Sequence, residues 1–142
     1  MTHIIMAAVS WTAVFFIIGK RLSGLWKAGL LGIGLVVLVD WIGTAQNLYQ
    51  YPGGFFYIGK LPLFHILNSY ALVLLYLNWL PAGWKKKALY TLYASAVLLA
   101  VEVAGFRFGA IIYTGWQIWH SYFLLVAGLL LVAFLSDVFG LL

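Results

Sequence analysis

The sequence predicts an all-α membrane protein, a bundle of five transmembrane helices forming one domain over residues 1–142. Three observations carry that expectation. Hydrophobic residues make up 65% of the chain against 8% charged, and mean hydropathy is +1.06, so polar surface is too scarce to coat a water-soluble globule. The apolar residues gather into five runs, at about 3–19, 27–45, 62–80, 87–106 and 117–139, each near the ~20 residues that a ~30 Å hydrocarbon core demands of a helix. The runs are continuously apolar and about twice the length of a barrel strand, which excludes a β-barrel.

Each element follows from its flanks. The first run is followed, not preceded, by Lys20 and Arg21 and reads as a retained helix, not a cleaved signal. Lys20, Arg21 and Lys27 flank the first connection and Lys85, Lys86 and Lys87 fill the third, whereas the second and fourth hold only Lys60 and Arg107. Six basic residues against two place the first and third connections in the cytoplasm. The expected location is therefore a cell membrane, crossed several times, with the N-terminus outside and the C-terminus cytoplasmic. The aromatic loops 46–61 and 107–116 then lie on the outer side. Trp79 and Trp84 inside, and Tyr49, Tyr51, Tyr57, Tyr113, Trp116 and Trp119 outside, fit interfacial belts. Tyr51-Pro52-Gly53-Gly54 is a turn signal. The apolar Phe55 to Ile58 after it predict a loop that folds back onto the membrane surface or dips between helices, and the covering that backbone at membrane depth requires has the two loops pack on each other or on the helix ends.

Charge and composition also set limits on partners. The net charge of +5 sits in clusters beside apolar runs, as orientation signals and lipid-phosphate contacts do, so membrane lipids are the expected partners and nucleic acid is not. Gly29, Gly32 and Gly34 permit close helix packing within one chain or between chains, leaving a homo-oligomer or a membrane-complex partner open. The chain has no cysteine, which excludes disulfides, thiolate metal sites and a cysteine nucleophile. No phosphate loop or dinucleotide fingerprint is present, and no cofactor is expected.

Two stretches share a pattern of acid-x-x-Gly, then Tyr-x-Gly, then histidine. The first runs Asp40 to Gly43, Tyr57 to Gly59 and His65; the second runs Glu102 to Gly105, Tyr113 to Gly115 and His120. Read as an internal repeat, the hairpins of helices two plus three and four plus five are related by an approximate two-fold axis along the membrane normal. Both acids precede the outer helix ends by four or five residues and both histidines follow re-entry by about three, so all four share a layer roughly 6 to 8 Å below the interface. Asn68 extends that polar face one turn from His65, and Ser10 and Thr12 are the first helix's candidates to join it. His3 reads as a terminal interfacial residue.

Candidate ligand-binding or polar-site residues are thus Asp40, His65, Asn68, Glu102, His120, Tyr113 and Arg107, the last of which also suits a snorkelling anchor. Several chemistries suit such a set. Asp40, His65, Glu102 and His120 are suitable metal ligands, but no histidine lies three or four residues from a carboxylate on one helix, so no standard metal motif is present. General acid–base chemistry on a lipid or isoprenoid headgroup and a proton or ion path are alternatives. A plain structural alternative is interhelical glue, Asp40 to His65 and Glu102 to His120, worth about 1 kcal/mol each.

The run Asp40-Trp-Ile-Gly-Thr-Ala-Gln-Asn-Leu-Tyr-Gln-Tyr-Pro52, with Leu61-Pro62 and, further on, Glu102, Tyr113, Trp116 and Ser121, resembles a group of small uncharacterised multi-helix membrane proteins of spore-forming Gram-positive bacteria. That resemblance covers about residues 30 to 125 and implies a bacterial source and a multi-helix fold, without a reaction. More loosely, the acid before an aromatic loop and the Leu-Pro opening a helix are similar to the small-subunit lycopene cyclase domain; where that domain bears paired glutamates, this chain has Leu63 to His65. The leading expectation is a membrane protein binding a lipid-like or small ligand at an outer-leaflet polar site. A membrane-embedded enzyme acting on a lipid or isoprenoid, and a structural or accessory subunit of a membrane complex, are the alternatives.

Overall fold

The computed structural model describes residues 2–142 and is mostly helical. Its helices are α1 (Thr2–Ala13), α2 (Leu22–Ala45), α3 (Leu63–Asn78), α4 (Trp84–Arg107) and α5 (Ile118–Val138). Three helical runs, Thr2–Ala45, Trp84–Arg107 and Ile118–Val138, are long and apolar enough to cross a membrane. Leu63–Asn78 is apolar but only 16 residues long, shorter than the expected 62–80. Pro62, with extended backbone (φ −64°, ψ 137°), starts it, and the chain leaves it before Pro81; proline continues neither end.

The 44-residue run Thr2–Ala45 would be about 66 Å long if straight. It is bent back instead. A π-helical turn, Val14–Ile18, leads to Gly19, whose φ of 52° and ψ of −122° lie outside the helical region, a conformation open to glycine at no steric cost. Contacts on α3 then reverse direction. Ser10 meets Asn68 and Arg21 meets Asn78, so α1 runs parallel to α3. Positions 29 and 32 face Leu74 and Val73, and Asp40 meets His65, so α2 runs antiparallel. Two glycines allow that contact: a Cβ on Gly32 would stand 2.5 Å from Val73, and one on Gly29 2.7 Å from Leu74.

Helices α4 and α5 form the second hairpin. At the lysine-rich end α2, α3, α4 and α5 converge. Ala28, Val73, Tyr76, Leu77, Leu129 and Val132 make one buried cluster. Tyr76 bridges three helices through Thr91 (2.8 Å) and the Leu129 carbonyl (3.3 Å), and the Tyr90 hydroxyl donates to the Tyr76 carbonyl at 2.6 Å. Lys87 and Asp137 close the same end with an ion pair at 2.6 Å.

At the opposite end the two aromatic loops are joined, as their apolar character predicts, but through a pairing that the sequence does not signal. Strand β1 (Tyr49–Gln50) pairs antiparallel with β4 (Ile112–Tyr113), setting Tyr49 opposite Tyr113. Strands β2 (Tyr57–Ile58) and β3 (Leu61–Pro62) form a small ladder within the first loop. Tyr49, Tyr51, Leu61 and Ile111 are buried together beneath this lid. The expected interfacial role of Tyr49 and Tyr51 is therefore corrected: the loop folds inward, and both rings are about 95% buried, with 5% and 6% exposed.

Candidate functional site

Asp40 lies near the end of α2 and is 8% exposed. Its Oδ1 accepts the Tyr49 hydroxyl at 2.9 Å, and its Oδ2 stands 2.9 Å from His65 Nε2. Local sequence makes both contacts. Asn47 takes a positive φ of 57°, which turns the chain back so that Tyr49 reaches Asp40 from above. A Cβ on Gly43 would lie 2.5 Å from the Tyr49 ring; the glycine of the acid-x-x-Gly pattern is the space in which that ring sits. Pro62 aims the first turn of α3 so that His65, its third residue, faces Asp40. The His65 ring stacks on Tyr51 at 4.0 Å between centroids, and His3 meets both rings edge-on. His3 Nε2 donates to the Pro52 carbonyl at 3.2 Å. His3, expected at the interface, is buried in the site instead, because the first loop folds over the start of α1.

Glu102, one and a half turns from the end of α4, accepts the Tyr113 hydroxyl on Oε2 at 2.6 Å. Each acid thus receives a phenol from one member of the cross-strand pair Tyr49 and Tyr113. Burial, reinforced by the neighbouring carboxylates, pushes both phenols well above the ordinary tyrosine value of 10.0, so they remain protonated donors at neutral pH. A small void of about 30 Å³ lies between the two acids, with Tyr49, Tyr113, Trp116 and Ser121 among its walls.

Below these groups is a cavity of about 200 Å³, many times the roughly 10–15 Å³ that one water occupies. All five helices and both loops contribute to it. Its end beneath the loops carries His3, Asp40, His65, Asn68, Glu102 and Ser121; its depth is walled by aliphatic side chains such as Leu35, Val36, Leu98 and Leu125. Asn68 is 4% exposed, and its Oδ1 accepts the Ser10 hydroxyl at 2.5 Å. Ser10 therefore joins the site, whereas Thr12 bonds its own helix at Ala8. The Trp116 indole donates to Ser121 Oγ at 2.7 Å.

Of the residues singled out from sequence, Asp40, His65, Asn68 and Glu102 line the larger cavity, and Tyr113 lines the small void between the two acids. His120 does not join them. Its Nδ1 accepts the Gln117 backbone N–H at 3.1 Å in a capping box at the start of α5, and its ring lies against Trp116 and Trp119. Glu102 takes a tyrosine, not His120, as its partner. Arg107 ends α4 on the exposed surface. Hence Asp40, His65, Glu102 and His120 do not converge as metal ligands, and no three His, Asp or Glu side chains among the described residues are grouped to hold a metal.

No protein-family model, no curated protein and no solved structure matches this chain. The site must be read from its own chemistry. Residues that the sequence does not assign to the site, Tyr49, Tyr51, His3 and Ser121, share a reason: each enters through loop folding or through contacts between helices, not through a spacing on one helix. The nearest signal was Gly43, whose need for space only becomes evident once the Tyr49 ring is placed.

Proposed function

We propose that this chain is a five-span bacterial membrane protein that binds a lipid-like amphiphile in the cavity between its helices, polar head outward. The observation that carries this reading is the polarity of one cavity: acids, imidazoles and an amide at its outer end, an aliphatic shaft below, and a sealed tyrosine cluster at the lysine-rich end. Five crossings are supported by the reversal at Gly19 and by bare apolar faces on the outer surface, with Phe15, Phe16, Tyr93 and Phe123 at 69–79% exposure. Lipid is the solvent such faces require. The basic residues favour the N-terminus outside. Introduced cysteines are unique labels in a chain without any: Phe55→Cys should react with an impermeant maleimide on intact cells, and Lys86→Cys only after lysis.

Gly128 gives the direct test of ligand binding. It lies at the centre of the α5 stripe Ser121, Leu125, Gly128 and Val132 that faces the cavity, and a Cβ there meets nothing within 4 Å. Gly128→Phe should fill the shaft without displacing a helix. Native mass spectrometry of the protein in mild detergent should find a retained amphiphile in the wild type and none in Gly128→Phe at unchanged helicity. Equal retention by both would end this reading.

A second reading, acid–base chemistry on the bound head, is favoured by the Asp40 and His65 pair, which holds an imidazole against the cavity with its Nε2 fixed. Asp40→Asn separates the two: binding kept with phenotype lost indicates an enzyme, and binding and phenotype kept together indicate a binding protein. A structural or accessory role would tolerate both Asp40→Asn and Gly128→Phe.

A further inference from the structure

We infer that the head group taken by this cavity is a hydrogen-bond donor without negative charge, an alcohol or amine on a hydrocarbon chain, read by Glu102. The inference rests on the ligand-binding reading above and narrows it to a chemical class. The cavity wall contains two carboxyl groups and no lysine or arginine. The two imidazoles in the wall are already engaged, His3 by the Pro52 carbonyl and His65 by Asp40, so a phosphate or carboxylate head would meet two acids in a weakly polar surround with no lysine or arginine to offset it, an arrangement that burial penalises heavily.

The two acids are not equally available. Both oxygens of Asp40 are engaged, one by the Tyr49 hydroxyl and one by the His65 imidazole. Glu102 has a partner on Oε2 only. As a carboxylate oxygen, its Oε1 is an open acceptor at the cavity mouth, and a ligand O–H or N–H is the complementary group. A second, independent observation points the same way into the cavity. Asn68, 4% exposed, has its Oδ1 occupied by Ser10, while its amide N–H₂ has no partner among the described residues and lines the cavity from the facing helix. A hydroxyl can donate to Glu102 and accept from Asn68; an ammonium can only donate. Both heads satisfy Glu102, and only the alcohol can also satisfy Asn68.

The experiment uses the full-length protein in nanodiscs of neutral lipid, with four probes sharing one saturated chain: the primary alcohol, the primary amine, the monophosphate and the carboxylate. Binding is read as protection of the Trp116 region by tryptophan fluorescence and as a shift in thermal unfolding. The alcohol or the amine should bind, and both anions should bind roughly ten- to a hundredfold more weakly. Glu102→Gln, checked for unchanged helicity, should weaken the amine by about that factor and narrow the gap to the phosphate. Asn68→Leu should weaken the alcohol and leave the amine unchanged. Anions binding as well as or better than the neutral and cationic probes would overturn the inference while leaving the cavity's ligand role intact. Binding of no probe, with Gly128→Phe indistinguishable from the wild type, would overturn both.

Discussion

The Asp40 hairpin and the Glu102 hairpin share an order of residues and are built differently. In the first, α2 and α3 bring acid and histidine together at 2.9 Å, a tyrosine covers the remaining oxygen, and a second tyrosine stacks on the imidazole. In the second, α4 and α5 leave the histidine at a helix start, and the acid keeps a single partner. The cause is the entry into the returning helix. Pro62 starts α3 directly from a β-ladder, which holds His65 against α2. Gln117 starts α5 through a capping box that uses His120 for the backbone. Both acids line the cavity, but Asp40 has both oxygens engaged by protein groups, whereas Glu102 keeps one oxygen open. A shared sequence pattern does not make a shared role.

The largest effect should come from emptying the fully engaged site. Asp40→Ala strands the His65 imidazole and the Tyr49 hydroxyl in a buried setting, and losing one member of such a pair costs roughly 3 to 5 kcal/mol. Thermal unfolding in detergent should show it as a large fall in midpoint, with the Tyr49 lid loosened. A loss no greater than that of Glu102→Ala would erase the distinction between the hairpins. Next in size is a contrast of sign between the matched glycines. Gly43→Ala drives a methyl into the Tyr49 ring and should cost about 1 to 3 kcal/mol. Gly105 has its nearest neighbour, Met6, 3.6 Å from the position of a Cβ. Gly105→Ala should thus be neutral or stabilise by about 0.5 to 1 kcal/mol, the ordinary gain of alanine over glycine in a helix. Paired unfolding measurements check both; equal signs would mean that the Tyr49 ring can move aside freely.

Much of this architecture was legible beforehand for a physical reason. Long apolar runs mark the helical segments, and residue counting from the helix ends sets Asp40, His65, Glu102 and His120 in one layer, of which the first three line the cavity. The Asp40 and His65 pair was readable because both lie within one hairpin at matching depth. The failures are also specific. Glu102 and His120 sit at matching depth too, but depth says nothing about azimuth, and the Gln117 cap rotates His120 toward the tryptophans. Amphipathic rings such as His3 and Tyr51 usually lie at the interface; the fold of loop 46–61 over α1 is a tertiary event without a periodic signature. The pairing of Tyr49 with Tyr113 rests on two-residue strands, too short for alternation to announce.

A smaller effect should follow at the open acid. Glu102→Gln keeps a carbonyl acceptor for the Tyr113 hydroxyl, so unfolding should shift by about 1 kcal/mol or less, while ligand binding changes as argued above. Tyr113→Phe removes the donor and leaves both Glu102 oxygens free; its stability cost should again be about 1 kcal/mol. Unfolding midpoints at neutral pH test both, and a collapse comparable with Asp40→Ala would show that Glu102 is as structural as its counterpart.

The smallest effect belongs to His120, and comparing it with His65 tests the contrast between the hairpins at its most specific point. The two histidines follow their tyrosines at nearly the same distance in sequence. His65→Ala leaves Asp40 Oδ2 without a partner in a site 8% exposed to the surroundings, which should cost roughly 1 to 3 kcal/mol. His120→Ala removes an acceptor for the Gln117 N–H, an exposed group that water can satisfy, and a ring packed on Trp116 and Trp119, so the loss should be about 0.5 to 1 kcal/mol. Tryptophan fluorescence should change in His120→Ala, since Trp116 and Trp119 lose the ring between them, while amphiphile binding should not. If His120→Ala abolished binding at unchanged helicity, the second hairpin would have to reach the cavity through its histidine after all, and the unequal division between the two acids would no longer hold.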